Sequence, residues 1–279
     1  MTALALAPAR EPRPRFRHLL AAEWTKLRSL RSTRWTLLLA ALVVLALAFD
    51  SALADYRNWP RYGADVRAEF LPAWALNDAF GTEAAFVLML TCGCVGALAV
   101  TGEFASGLLR TSVAAVPDRR ALMAAKATVL AAALAGYGLL LAVLACWLSQ
   151  AVLSGRHTGL SLGDPVALRA TLAAALLAPI SGLAGLGLGA VARHTAAAIV
   201  AVVVVLLLVP AFLRDDHYWP ALVDHATLLF SWGRISGSGR QHGPGAPYPT
   251  TMAGAWIAYA VWSSLAALTA VSSLNRRDL

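Results

Sequence analysis

Six apolar runs divide the chain, at roughly Trp35–Ala54, Ala84–Thr101, Ala121–Leu153, Ala167–Ala192, Thr195–Leu213 and Met252–Leu274. Each is long enough, or nearly so, to cross ~30 Å of hydrocarbon as a helix. This predicts an all-α polytopic membrane protein with six transmembrane helices. The segments between the runs sort by charge. With the N-terminus on the cytoplasmic side, that side holds 15 Lys and Arg, from Arg10 to Arg34, at Arg110, Arg119, Arg120, Lys126 and Arg193, and at Arg276 and Arg277. The outer side holds 8, at Arg57, Arg61, Arg67, Arg156, Arg169, Arg214, Arg234 and Arg240. Basic loops resist translocation, so the bias predicts a multi-pass protein with both ends in the cytoplasm.

With 59% of its 279 residues hydrophobic, the chain has too few polar residues for a second, soluble domain. The organisation expected is a disordered lead over residues 1–15, with Pro8, Pro12 and Pro14, then one transmembrane domain over 16–279. The formal charge of +8 sits in juxtamembrane segments, where Lys and Arg meet anionic headgroups of the bilayer. It does not call for nucleic acid. Cys92, Cys94 and Cys146 all lie inside apolar runs and imply no disulfide framework. Arginine outnumbers lysine 21 to 2, the habit of a GC-rich bacterial genome, which points to a bacterial plasma membrane. Residues 35–49 before Ala52-Leu53-Ala54 also fit the h-region and cleavage site of a signal peptide. The 34-residue patterned segment ahead of them does not fit a short basic n-region, so the run is read as a span.

Before the first span, Phe16, Leu19, Leu20, Trp24, Leu27 and Leu30 share one side of a helical wheel, with Arg17, Lys26 and Arg28 at its flanks. This predicts an interfacial elbow helix over 16–33, breaking at Ser32-Thr33. The outer loop 55–83 is polar, with Pro60 and Pro72, and its aromatics Tyr56, Trp59, Tyr62 and Trp74 suit an interfacial belt. The third run is 33 residues, ~50 Å as a helix, so it should project beyond the bilayer. Asp118 is its expected N-cap. Runs four and five leave only a tight hairpin at Arg193-His194. In the outer loop 214–251, Leu222–Ile235 has apolar residues at helical spacing, whereas Gly237–Pro249 is rich in glycine and proline.

Ser181, Gly185 and Gly189 recur every four residues in the fourth run, a spacing that lets helix backbones approach closely, within one subunit or across a dimer seam. Cys92-Gly-Cys94 places its thiols on different helix faces and reads as packing rather than metal passage. Asp215, Asp216, His217, Asp224 and His225 are the only candidates for a zinc site or a lipid-directed enzyme on the outer side, and their spacing is not that of a typical zinc site. No paired carboxylate or nucleophile triad emerges within the bilayer. The scarcity of charge at depth argues against ion coupling, leaving a carrier or a plain membrane anchor as weaker alternatives. Lys26 in Thr-Lys-Leu and Lys126 in Ala-Lys-Ala do not form a P-loop, which needs glycines before the lysine and Ser or Thr after it.

Two cytoplasmic segments carry the most information. In EWTKLRSLRST at 23–33, Glu23 falls in the middle of the apolar face. A lone carboxylate there is costly unless paired, either with Lys26 one turn on or with a basic residue of another segment. In TGEFASGLLRTSVAAVPDRRALMAAK at 101–126, Phe104, Leu108, Leu109, Val113 and Val116 cover about half a helical wheel and Pro117 ends the run. The expectation is a short amphipathic helix over Phe104–Val116, inside a cytoplasmic loop 102–120.

These two motifs, with ARHTAAAI at 192–199 and NRRDL at 275–279, resemble the type-two ABC export permeases of actinobacteria, in order along nearly the whole chain. The resemblance implies a permease subunit without catalytic residues or cofactor of its own. ATP and Mg would be bound by a partner ABC ATPase, and a second permease subunit would complete the transporter. It implies that the segment with Glu103, Phe104, Gly107, Leu108, Leu109, Arg110, Thr111, Val113 and Val116 docks on the ATPase. It implies an elbow role for Glu23, Trp24, Lys26, Leu27 and Arg28. It also implies re-entrant helices near Leu222–Ile235. The long first outer loop departs from a minimal member of that family. The substrate is not legible.

Overall fold

The computed structural model describes residues 15–116, 118–213, 217–237, 248 and 250–273; the side chains of residues 73, 110, 115 and 273 fall outside the description. The expected disordered lead, the terminal NRRDL, Asp215, Asp216 and most of the Gly–Pro segment lie outside the described residues. Among those described there is no strand. A backbone in hydrocarbon must close its hydrogen bonds within each segment, and helices do so.

Six helices are long and apolar enough to cross a membrane. The first helix, α1 (Phe16–Ser29), ends at Leu30, whose extended backbone turns the chain into α2 (Arg31–Asn58). The break therefore falls before Ser32-Thr33 rather than on them. Both sit in the first turn of α2, where backbone N–H groups are unpaired anyway and short polar side chains disturb nothing.

The stretch after α2 is more ordered than a polar loop. It forms a 3₁₀ turn (Trp59–Arg61), α3 (Ala64–Glu69), a π turn (Phe70–Trp74) and α4 (Ala75–Ala79). Phe70 is fully buried against Ala52, Ala75 and Leu153. Trp59 meets it edge-on with centroids 5.1 Å apart and meets Tyr62 at 6.2 Å. Trp59, Tyr62 and Phe70 thus hold a small second core, while Trp74 is exposed.

Next come α5 (Thr82–Ala105), α6 (Leu108–Ala115) and α7 (Arg119–Ser154). Helix α7 is 36 residues, ~54 Å, and contains no proline. Asp118 caps it, accepting from the Ala121 amide at 3.0 Å. At its far end buried Gln150 donates to the Ala75 carbonyl at 2.8 Å and accepts from the Leu160 amide at 2.7 Å.

Helix α8 (Pro165–Ala192) is capped by Asp164 and ends at left-handed Arg193, where two residues reverse the chain into α9 (Thr195–Val203). A π turn (Val204–Leu208) joins α9 to α10 (Val209–Phe212). Pro210 lacks an N–H and crowds the preceding turn, which widens to receive it. Two short helices follow, α11 (Tyr218–Ala226) and α12 (Leu228–Ser236), broken at Thr227, whose hydroxyl caps α12. Helix α12 packs on α8 and on α13 (Met252–Ser273), with Trp232 buried in the core.

Helix α8 is the centre of the bundle: 83% of its most apolar stretch is buried, against 22% for α2, for the α9–α10 run and for α13. Its contact with α5 is backbone on backbone. A Cβ on Gly185 would overlap the Gly93 carbonyl, one on Gly96 would overlap the Gly182 carbonyl, and one on Gly189 would press on Ala97 and Val100. Ser181 is fully buried one turn before Gly185. The small residues of α8 thus lie against α5 of the same chain.

The segment Phe104–Val116 is not one helix. Phe104 closes α5, Gly107 takes a left-handed φ of 72°, and α6 starts afresh at Leu108. Apolar residues continue on both sides of the break, so their periodicity hides it. Glycine is the residue that adopts this conformation without strain.

Candidate functional site

At the α6 end of the bundle, four charges from three helices meet. Helix α1 presents Glu23 and Lys26 one turn apart. The last turn of α5 presents Glu103, and the start of α7 presents Lys126. The Lys126 ammonium donates to Glu23 Oε2 at 2.5 Å and to Glu103 Oε1 at 2.8 Å. The Lys26 ammonium donates to Glu23 Oε1 at 2.7 Å and to Glu103 Oε1 at 3.0 Å. Each ammonium bridges both carboxylates, so the charges alternate and sum to zero. Glu23, Glu103 and Lys126 are buried, and Lys26 is part-exposed.

The two pairings open to Glu23 in the sequence are both made. What the sequence reading missed is Lys126, 103 positions away. A signal was present: Lys26 and Lys126 are the only lysines among 23 basic residues, and both are here. An ammonium is a compact charge with three rotatable donors, which fits between two carboxylates where a planar guanidinium does not.

Burial acts to lower the Lys26 pKa, but the hydrogen bonds to Glu23 and Glu103 outweigh it and hold it above the ordinary value. A group whose folded pKa is raised contributes stability that is full below its unfolded value, near ~10.4, and is lost as pH rises through the folded value. Thermal melting of the purified chain should thus carry the full Lys26 contribution at neutral pH, with no pH dependence from it there, and should fall above pH ~10.4. Lys26→Met should flatten that alkaline decline. An unchanged profile in the variant would show that Lys26 titrates freely.

The other residues singled out in the sequence distribute around this cluster. Leu108, at 43% exposed, faces outward, whereas Leu109 is 1% exposed and belongs to the core. Phe104 is half-buried, with the Arg193 guanidinium 5.6 Å from its ring centroid. Val113 is half-buried against the core and Val116 is also half-buried. Exposed Thr111 donates to the Leu108 carbonyl at 2.9 Å. The Arg110 side chain lies outside the described residues. On α1, Leu27 is half-buried, and exposed Trp24 has Arg28 at 5.9 Å from its ring. Glu103 lies in the last turn of α5, just before the break at Gly107, and its carboxylate contacts Lys26 of α1 and Lys126 of α7.

The family described as ABC-2 family transporter protein has a sequence model that matches residues 19–213, more than two thirds of the chain. The matched span runs from α1 through α10 and contains all four charged residues. No curated protein matches the chain.

Proposed function

We propose that this chain, which belongs to the ABC-2 transporter family, is the permease subunit of an ABC exporter and works with a separate ATPase and a second permease. It is a multi-pass membrane protein. In this reading both termini are cytoplasmic, in a bacterial plasma membrane, as the charge bias supports. ATP and Mg are bound by the partner, and α6 docks on it. Closure of the ATPase pair displaces α6, and the helices shift between inward- and outward-open populations. The observation that carries the reading is the four-charge cluster. It ties the helix end leading into α6 to both α1 and α7, as a coupling segment requires.

The test separates the two leucines that open α6. Leu108→Asp should leave the stability of the permease within ~0.5 kcal/mol of the parent, as an exposed change does. It should weaken co-purification of the ATPase by ~2 kcal/mol, about thirty-fold, as loss of an anchoring contact does. Leu109→Ala should instead destabilise the permease itself by ~2–5 kcal/mol, because it empties core volume. ATPase binding that Leu108→Asp leaves untouched would remove α6 as the docking element.

A further inference from the structure

Beneath the elbow lies a cavity of about 380 Å³, walled by α1, α5, α6 and α7. This is within the ~300–1,000 Å³ range of small-molecule sites. Its walls are mostly apolar, with Leu27, Leu30, Leu98, Val129 and Leu130, and its polar end is the charge cluster, Lys26 and Glu103 included. Leu30 and Leu98 are 46% and 45% exposed, so the cavity opens between exposed leucines.

The polar end is incomplete in two respects. Glu103 Oε2 is buried without a hydrogen-bond partner. An ammonium has three donors, and Lys26 uses two of them, both in the cluster. Burial without a partner costs a polar group roughly 1–3 kcal/mol, so a matching ligand group would gain by filling it. The head of that ligand is constrained by charge. A cationic head would face Lys26 and Lys126, and an anionic one would face Glu23 and Glu103. An uncharged hydroxyl can donate to the carboxylate and accept from the ammonium without either repulsion.

We propose that this cavity binds an uncharged, hydroxyl-bearing lipid from the adjoining leaflet, its head at Glu103 and Lys26 and its acyl chain along Leu98, Val129 and Leu130. The site needs only the folded chain in a membrane, so it stands apart from the permease reading.

Gly102 lines the cavity, and a Cβ there meets nothing within 4 Å. Gly102→Leu therefore adds bulk to the cavity wall with no clash at its Cβ. The full chain is reconstituted with a photoreactive monoacylglycerol, and the labelled peptides are mapped by mass spectrometry. Labelling of the 98–103 segment is expected in the parent and should drop about tenfold in Gly102→Leu. Labelling of the exposed α13 face at Leu265 and Leu268 should be unchanged. A fatty amine and a fatty acid of equal chain length should compete about tenfold less well than unlabelled monoacylglycerol. Undiminished labelling in Gly102→Leu, or equal competition by the charged analogues, would overturn the proposal and leave only bulk lipid contact. If Gly102→Leu melts below the parent, Leu98→Trp at the exposed rim gives the same reading.

Discussion

Lys126→Ala should destabilise the purified chain by ~3–5 kcal/mol, read as a fall in thermal melting in detergent. Lys126 is 5% exposed and is the only cation in the cluster that is fully buried. Its removal leaves Glu23 and Glu103 sharing part-exposed Lys26. Two like charges in a low-dielectric site then repel, and the desolvation already incurred is no longer offset. The cost is that of stranding charge, not the worth of a salt bridge. It should be largely reversed when Lys126→Met is combined with Glu103→Gln, which leaves Glu23 paired with Lys26. A melt of Lys126→Ala within ~0.5 kcal/mol of the parent would mean that the cluster is hydrated and contributes little.

Gly185→Leu should abolish recovery of a monodisperse folded protein, and Gly185→Ala should already cost the upper end of the ~1–3 kcal/mol typical of overpacking, or more. The atom that a Cβ would strike is the Gly93 carbonyl, which is backbone and cannot rotate away. The helices must separate instead, and α8 contacts α5 more extensively than any other element. Gly136→Ala on α7 is the matched control. Nothing lies within 4 Å of its added Cβ, so it should be neutral or gain the helix propensity of alanine, ~1 kcal/mol. Size-exclusion profiles and melting curves decide the matter. Parent-like behaviour of Gly185→Ala would show that the seam has slack.

What could be read from the sequence was what is local or periodic. The six spans follow from run length, the Asp118 cap from a carboxylate beside a helix start, and the two-residue hairpin at Arg193-His194 from the absence of anything longer. Glu23 announced a need for a partner by its place on an apolar face. It could not announce Lys126, because which turn of α7 lies beside α1 is set by packing over the whole bundle. The gap at Gly107 was hidden for a different reason. A single left-handed residue reorients the next helix while the apolar pattern runs on. Phe70 was missed because burial in a short irregular segment has no period to detect.

The length of α7 sets a limit on how the two ends of the molecule can move. It is one uninterrupted helix with Lys126 near one end and Gln150 near the other, 24 residues and ~36 Å apart. It has no proline hinge to absorb a bend. Were it to tilt as a rigid beam about its middle, its ends would travel in opposite senses. A tilt of ~5° about the midpoint carries each by ~1.6 Å, from the ~18 Å arm on either side. A hydrogen bond of 2.8 Å, such as that from Gln150 to Ala75, does not survive such a stretch. The ionic knot at one end and the amide latch at the other thus share a single seesaw. A rigid tilt that preserves one contact in full must strain the other, so α7 links the contacts at the two ends of the bundle.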